Sequence, residues 1–481
     1  MTHPHFPLKA VYFDLIPKEK LKFNFHLSDK QKQNKVEEVI KPFVLTEETY
    51  ERVAEAFDEQ MTLGLMKNPT KKSSFYMLNT FISQFTNGAE EGQYLAIDLG
   101  ASNLRVNLVK MEDGKIVAAE SQHYPLTTQI QQGSGTQLFD YLADCIKDLL
   151  EKFNLTEIET PLGFTFSFAM DQKSLDVAYL ISWGLSFNCS GVVGKDVVQM
   201  LNTSLRKKDV KVQVSAILND MTGVLVHGIH LDPRTVIGTG IGSGTNCCYI
   251  EKASNVHCWN DDEMPTNQTD VVIDTECGAF GDNGALDFIK TEFDDFIDRT
   301  SLNPNKFVFE KYTSGNCLGE LARLVFVKLI GNGVFFTGKN VKIFNQEEVF
   351  KSRMISECEK DFDGKNAEHT QNVLKELGLS DLASDDDIAI IRYVCAVITI
   401  RACRLLAINW ANLIKRINRP DVTVAVDGSV YIKHPKFHSL ITHAICDLLP
   451  KQKFRLMLAQ DGSGKGAALV AAIVKRIKQN E

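Results

Sequence analysis

Two glycine-rich hairpins constrain the fold of this chain more than any other feature. The first, from Leu95 to Val109, is an apolar strand ending at Asp98, a turn of small residues after Gly100, and a second apolar strand. The segment from Thr235 to Glu251 repeats this order, with hydroxyl side chains in its turn. Each hairpin alone is also compatible with an ordinary β-turn connection. Together they predict two related α/β halves that face a cleft.

Composition narrows the class of protein. The chain has 481 residues, of which 44% are hydrophobic and 24% charged, which is typical of a globular protein with two or more lobes. A formal net charge of -8 argues against an extended surface for nucleic acid. The 11 cysteines show no C-x-x-C pair or zinc spacing, and no apolar run reaches membrane-spanning length. We therefore expect a soluble cytosolic protein.

Apolar periodicity predicts the elements around the two hairpins. We expect amphipathic helices over 36–66, a helix over 138–153, strands over 163–168 and 180–187, a strand that ends at Asp220, and long helices over 307–329 and 387–417. A further glycine-rich turn opens a helix after Asp461, where free backbone N–H groups would favour an anion.

Four glycine-rich turns are candidate phosphate cradles: 98–103, 242–246, 427–429 and 461–466. Phosphoryl transfer to a hydroxyl needs such a cradle, a divalent cation, and a carboxylate that takes the hydroxyl proton. A P-loop is disfavoured because no G-x-x-x-x-G-K-[ST] pattern occurs, and GSGKGA at Gly462 has the lysine at the wrong spacing. Asp220 is the carboxylate at a strand tip and is therefore the candidate base.

At these motifs the sequence resembles the hexokinases of the single-unit animal type, over about Val36 to Ile477. The motifs are LAIDLGASNLRV, PLGFTFSF, SGVVGKDVV, LNDMTG, GAFGDNGALD, FEKYTSGNCLGELAR and DGSGKGAALV, in the family's order. The resemblance implies an α/β, two-lobed, actin-like sugar-kinase (ribonuclease H-like) fold with an interlobe cleft. It places a small lobe at about 90–218 plus the C-terminal helix, and a large lobe at about 36–89 and 219–465.

The resemblance also implies the site. Asp220 matches the general base for the sugar's primary hydroxyl. The positions that match sugar contacts are Ser167, Asn219, Asp220, Asn246, Glu276 and Glu310. Those that match the nucleotide side are Asp98, Gly100, Ser102, Asn103, Ser243, Gly315, Gly428 and Ser429. Ser243 is assigned by counting from Asp220, although Gly238-Thr239-Gly240 is the literal match to the family's G-T-G. The implied ligands are a hexose, ATP and Mg²⁺, with the ion held mainly by ATP phosphates and water rather than by protein ligands.

Several positions depart from the family pattern where sugar and nucleotide bind. The family's W-T-K is here Trp183-Gly184-Leu185, so the hydroxyl of the threonine and the ammonium of the lysine are missing. The proline of the family's S-F-P is replaced by Ala169, and the asparagine of its I-N-T-E-W-G by Asp274. Ala101 replaces a glycine, and 346–349 places negative charge where an ATP phosphate is expected. We expect Asp274 to repel Glu276 and to raise one of the two pKa values. Together these changes predict weak or altered catalysis.

Three functions remain open from the sequence. The first is an ATP-dependent hexokinase that makes a hexose 6-phosphate from glucose, fructose or mannose, the first step of glycolysis. The second is a catalytically weak or inactive relative that binds sugar as a sensor or partner. A third is a kinase for another small polyol. Intact Asp220 favours the enzyme, whereas Gly184, Leu185 and Glu348 favour the binder.

Residues 1–35 are polar and Lys-rich and are predicted to be a tail. Leu8 to Leu15 has a short amphipathic pattern that would suit a membrane surface, including a mitochondrial one, but the pattern favours a loose chain end. The single-unit resemblance permits a monomer.

Overall fold

The computed structural model describes residues 10–100, 103–184, 186–260, 269–361 and 367–480. Ala101, Ser102 and Leu185 lie outside the described residues, as does the side chain of Asn103.

The strands of the described chain are β1 (Leu78–Asn79), β2 (Gly92–Leu99), β3 (Asn103–Glu112), β4 (Lys115–Pro125), β5 (Thr160–Phe166), β6 (Met170–Ser174), β7 (Val177–Leu180), β8 (Val212–Leu218), β9 (Thr235–Ile241), β10 (Thr245–Lys252), β11 (Asp270–Asp274), β12 (Asp421–Asp427) and β13 (Lys453–Leu458). Its α-helices are α1 (Lys18–Leu21), α2 (Lys30–Ile40), α3 (Glu47–Leu65), α4 (Thr128–Gln131), α5 (Gly135–Lys152), α6 (Val197–Lys207), α7 (Asp220–Leu231), α8 (Glu292–Thr300), α9 (Val308–Thr313), α10 (Gly315–Gly331), α11 (Ser352–Cys358), α12 (Glu368–Glu376), α13 (Asp385–Ile417), α14 (Ser429–Lys433), α15 (Phe437–Leu448) and α16 (Gly462–Asn480). Short 3₁₀ turns lie at Lys41–Phe43, Ala253–Asn255, Cys277–Ala279, Asp287–Ile289 and Ile343–Asn345.

The small lobe is built on a sheet of order β4-β3-β2-β5-β8. β2 and β3 form the predicted antiparallel hairpin, and β5 and β8 continue the sheet in parallel with β2. Helices α5 and α6 pack on one face, and their apolar stripes join the strands in one core. α5 begins where it does because Ser134 and Gln137 form a capping box.

The large lobe is built on a second sheet of order β1-β11-β10-β9-β12-β13. The predicted second hairpin is β9–β10, again antiparallel. Helix α13 runs through the middle of this lobe and is apolar on most of its surface, as expected of a buried helix. It begins at a capping box of Ser384 and Asp387 and ends at Asn418 in the left-handed conformation.

Helices α7 and α16 join the two lobes. α16 packs against β2, β5 and β8 of the small lobe, whereas α7 packs against β9 of the large lobe. The two helices meet where a Cβ atom on Gly466 would lie 2.1 Å from the carbonyl oxygen of Gly223. Only glycine permits this approach, which places the beginnings of both helices at the cleft between the lobes.

Two predicted elements differ from the structure. The strand expected over 180–187 ends at Leu180, because Trp183 turns into an aromatic cluster with Phe168 and Phe187. The helix expected over 307–329 is two helices, broken at Ser314, whose backbone is extended. Local periodicity does not register contacts of this kind.

The predicted N-terminal tail also differs from the structure. Among its described residues, Val11 forms a β-bridge with Leu458, Phe25 stacks on Tyr393 at 4.0 Å between ring centres, and Leu27 is buried. Apolar side chains spaced along this polar segment thus anchor it to distant parts of the large lobe. No helix in the described ranges combines the length and the apolar character needed to cross a bilayer.

Candidate active site

A cavity of about 490 Å³ lies between the two lobes. Eleven of the residues predicted for the site line it: Asp98, Gly100, Ser167, Asn219, Asp220, Ser243, Asn246, Glu276, Glu310, Gly428 and Ser429. They come from both sheets and from the beginnings of helices α7, α9 and α14. The fold therefore brings residues far apart in the sequence to one cleft.

Asp220 is the first residue of α7 and follows the cap residue Asn219. The strand expected to end at Asp220 ends two residues earlier, at Leu218. Asn219 caps the helix, with its Oδ1 accepting a hydrogen bond from the N–H of Met221 at 2.8 Å, and the Asp220 Oδ1 accepts from the same N–H at 2.9 Å. Burial, together with the negative charges of Asp98 and Asp274, raises the pKa of the Asp220 carboxyl to about 7. A carboxyl with such a pKa can take up and return a proton near neutral pH.

Three of the side chains predicted to bind sugar, Asn219, Asn246 and Glu276, are linked by hydrogen bonds. Asn219 donates from Nδ2 to the Glu276 carboxylate at 3.4 Å, and Asn246 donates to Asn219 Oδ1 at 3.4 Å. Glu310 accepts the backbone N–H of Thr245 at 3.1 Å. Burial raises the pKa of Glu310 to about 7, and burial with the charge of Asp274 raises the pKa of Glu276 well above its ordinary value. The group offers several acceptors to a polyol.

Two serines border this group on the small-lobe side. The buried hydroxyl of Ser167 lies close enough to the Asp220 carboxyl to oppose part of the rise of its pKa, but no described residue hydrogen-bonds to it. The buried Oγ of Ser182 also lines the cavity, and no described residue hydrogen-bonds to it. A buried hydroxyl without a protein partner fits a site that receives a polar ligand. Sequence reasoning missed Ser182 because nothing in its local pattern distinguishes it from other loop serines.

The first hairpin ends in a network of charges. Asp98 accepts from Arg105 at 2.5 Å and from the Ser463 hydroxyl at 2.6 Å, and Arg105 also pairs with Asp461. The sequence analysis missed Arg105, although a signal existed, since Arg105 stands directly opposite Asp98 in the β2–β3 register. The network fixes Asp98 at the side of the cleft that is predicted to bind the nucleotide, and it ties β3 to the start of α16.

Three glycine turns interlock on the large-lobe side. Gly315 donates its N–H to the Gly242 carbonyl at 2.8 Å, and a Cβ atom on Gly315 would lie 2.7 Å from the same oxygen. Gly428 has a φ of 105°, and a Cβ atom there would lie 2.4 Å from the Ile241 carbonyl oxygen. Gly315 therefore supports the 242–244 turn from behind rather than lining the cavity, whereas Ser243 and Ser429 face the cleft.

The glycine turn before α16 differs from its prediction as a free anion site. The N–H of Gly462, at the start of the helix, donates to the Asp427 carboxylate at 3.0 Å. The protein's own carboxylate thus already occupies part of that position. Glu347 and Glu348, expected beside an ATP phosphate, lie outside the cavity lining.

A two-lobed α/β protein whose cleft combines a strand-end carboxylate, a polar pocket and interlocked glycine turns has the features of the sugar kinases. Comparison with known proteins defines the family. The sequence profiles of the family described as hexokinase match residues 35–230 and 236–473. The chain belongs to the hexokinase family.

The similarity to individual hexokinases agrees with this family assignment. A hexokinase of Schistosoma mansoni is 38% identical over 451 residues, which cover 93% of this chain and 99% of the relative. Hexokinase-1 of Homo sapiens is 36% identical over 454 residues, which cover 92% of this chain and 48% of the human protein. The solved structure of the Schistosoma mansoni hexokinase complexed with glucose superposes with a TM-score of 0.87 at 37% identity, covering 93% of this chain and all of the other.

Proposed function

We propose that this chain transfers the terminal phosphoryl group of ATP to the 6-hydroxyl of a hexose, with glucose as its first substrate and fructose or mannose as further ones. The position of Asp220 carries the proposal, because it lies in the cleft between the sugar-side amides and carboxyls and the glycine turns. The Schistosoma mansoni relative bound to glucose supports the choice of sugar. The product is a hexose 6-phosphate.

Asp220 acts as the base in this reaction. Its carboxylate accepts the proton of the sugar's primary hydroxyl as the oxygen–phosphorus bond forms, and the bond to the leaving diphosphate breaks. The pKa of about 7 suits this exchange, because the carboxylate is available near neutral pH and still holds a proton well. The charges of Asp98 and Asp274 contribute to that value.

The remaining sugar-side groups orient the hexose. The amides of Asn219 and Asn246 offer donors and acceptors, while Glu276 and Glu310 accept the sugar's other hydroxyls. Closure of the lobes around the sugar would exclude water, which competes with the 6-hydroxyl for the phosphoryl group. The junction of α7 and α16 is where such a movement would be accommodated.

The glycine turns at 242–244 and 428–429 and the carboxylate of Asp98 fit a nucleotide with its hydrated Mg²⁺. Small residues let backbone N–H groups approach phosphate oxygens, and carboxylates beside the turns can hold an ion through its water shell. When bound, the ion neutralises phosphate charge during transfer. Ser102 and Asn103 complete the predicted nucleotide side. A cytosolic location, a monomeric state and a mitochondrial contact of the N-terminal segment stay predictions from the sequence.

Coupled phosphorylation of glucose by the purified full chain tests the proposal. We expect ATP-dependent formation of glucose 6-phosphate, with Asp220→Ala slower by roughly 10²- to 10⁴-fold, the usual range for a lost base. Equal rates for both proteins at millimolar glucose refute the assignment of the base. Thermal stabilisation by glucose without turnover would instead support a protein that only binds sugar. A panel of other polyols separates a different kinase from a hexokinase.

A further inference from the structure

Asp274 is a buried carboxylate that does not line the cavity and has no contact with sugar or nucleotide in the proposed reaction. It stands at the end of β11, where the family pattern has asparagine, two residues before Glu276. Both residues are almost fully enclosed, with 3% and 8% of their surface exposed. A buried charge needs a partner or a proton, so its surroundings decide what Asp274 does.

One oxygen of Asp274 is fixed by hydrogen bonds. Its Oδ1 accepts from Asn246 Nδ2 at 2.9 Å and from the backbone N–H of Glu276 at 3.3 Å. The Asn246 amide cannot turn away, because its own oxygen accepts the backbone N–H groups of Cys247 at 2.7 Å and Cys277 at 3.1 Å. Asp274 therefore holds a residue of the sugar pocket in one orientation.

The carboxyl groups of Asp274 and Glu276 are joined by hydrogen bonds through two amides. Asn246 donates to Asp274 at 2.9 Å and to Asn219 at 3.4 Å, and Asn219 donates to Glu276 at 3.4 Å. Glu276 also donates its backbone N–H to Asp274 at 3.3 Å, from a backbone in the left-handed region with a φ of 50°. Two carboxylates enclosed together in this way repel each other when both are ionised.

The groups around the pair disfavour two negative charges. The titratable groups that face it are Tyr76 from the segment before β1, Asp220 on α7, Cys248 on β10 and Glu310 on α9. Within the described chain neither Asp274 nor Glu276 forms an ion pair. The nearby cation Lys311 is taken by Asp298 at 2.6 Å. A retained proton is the remaining way to limit the charge.

We propose that Asp274 and Glu276 share one proton at neutral pH and that a bound hexose displaces this proton to solvent. Asp274 is then a positioning residue that sets the ionisation of Glu276. The inference rests on the proposed function, which places Glu276 against sugar hydroxyls. Those hydroxyls donate to a free carboxylate, so sugar and proton compete for the same oxygens, and sugar affinity rises with pH.

Asp274→Asn tests the proposal, since it keeps the shape and the acceptor toward Asn246 but removes the second acid. The proton released on glucose binding is measured by calorimetry in buffers of different ionisation enthalpy. We expect wild-type protein to release up to about one proton more than the variant when glucose binds. We also expect the glucose dissociation constant of the wild type to fall as the pH rises, by up to about tenfold more per pH unit than that of the variant. Glu310 is present in both proteins and cancels in the difference. Because the charge of Asp274 also raises the pKa of Asp220, the same comparison is made in the Asp220→Asn background, where only the Asp274–Glu276 pair can account for a difference.

Equal proton release and equal pH slopes in the two proteins overturn the proposal. Infrared spectroscopy of wild-type protein gives a second readout that needs no variant: the carboxylic-acid C=O band must weaken when glucose is added, and an unchanged band also overturns it. Failure of the proposed function is distinguishable, because then neither protein binds or phosphorylates glucose.

Discussion

Buried carboxylates of this protein occur in two settings that share burial and differ in pairing. Asp294, inside the large lobe, lies 2.9 Å from two guanidinium nitrogens of Arg401, itself buried. Asp220, Glu276 and Glu310 in the cleft are enclosed as well, but within the described residues none of them forms an ion pair. The same chemical group is thus neutralised in one region and left without a counter-charge in the other.

The contrast separates carboxylates that hold the fold from those kept for a ligand. Removing a carboxylate from water costs several kcal/mol, which a well-placed cation offsets. Asp98 in the cleft has such a cation in Arg105, but among the described residues no cation pairs with Asp220, Glu276 or Glu310. For these acids the cost appears as raised pKa values. In the proposed function, hydroxyl groups of a bound sugar supply the missing donors. Without a bound ligand, the carboxylates of the cleft therefore contribute less to the stability of the folded protein than paired carboxylates of the interior. Such a cost is typical of residues that are kept for binding.

The largest expected effect is a loss of stability when the ion pair of a buried interior carboxylate is broken. Arg401→Met removes the cation from Asp294 and should lower the free energy of unfolding by about 3–5 kcal/mol, because an uncompensated charge stays buried. Arg404→Met is the matched control one turn further along α13, since its pair with Glu47 is exposed and should cost less than about 1 kcal/mol. Denaturant unfolding measures both, and similar losses for the two variants would break the comparison.

A smaller effect, on glucose affinity, is expected when one of the unpaired carboxylates of the cleft is neutralised. Glu310→Gln keeps the acceptor toward the Thr245 N–H but removes the charge, so glucose affinity should fall by about 1.5–3 kcal/mol, the worth of a hydrogen bond to a charged group. Calorimetric titration with glucose measures this loss. Stability without sugar should not decrease. Glu292→Gln, on the exposed surface, is the control that should leave glucose binding unchanged. Loss of stability without loss of affinity would assign Glu310 to the fold.

The smallest effect concerns the sugar contacts that this chain lacks. A Cβ atom on Gly184 would meet only the Phe307 ring, at 3.9 Å, so threonine fits there. Gly184→Thr should lower the KM for glucose by a factor equivalent to about 0.5–1.5 kcal/mol, the worth of one neutral hydrogen bond. Gly184→Ala adds the carbon without the hydroxyl and serves as control. Equal KM values for the two variants would show that a hydroxyl at this position does not contact the sugar.

Much of the fold was accessible from the sequence because it depends on local patterns. The two hairpins and the helix after Asp461 follow from apolar runs and glycine turns, and the structure has them as predicted. The N-terminal segment was not accessible, because its order comes from contacts such as Val11 with Leu458 and Phe25 with Tyr393. Contacts between residues so far apart in the sequence do not change the local spacing of apolar residues, so that spacing does not predict them.

The residues of the site also divide into those that local sequence patterns indicate and those that only contacts between distant elements reveal. The LNDMTG motif is enough to single out Asp220 from the sequence, and the β2–β3 register would have revealed Arg105 opposite Asp98. Spacing does not reveal that Gly315 supports the 242–244 turn from behind. Nor does it reveal that Asp274 bonds to both Asn246 and Glu276. The first of these depends on how separate elements meet, and the second on side-chain rotation.

The most direct test of the contrast is the free energy of unfolding of wild type and Asp220→Asn, without sugar, between pH 4 and 8. The pKa of Asp220 is raised in the folded protein, so its contribution is favourable below about pH 4 and is lost as the pH rises toward 7. We predict that wild-type stability declines over this range more steeply than that of the variant, and that the variant is the more stable but catalytically silent protein at pH 8. A variant that is less stable at pH 8, or that turns over glucose like the wild type, would contradict the account.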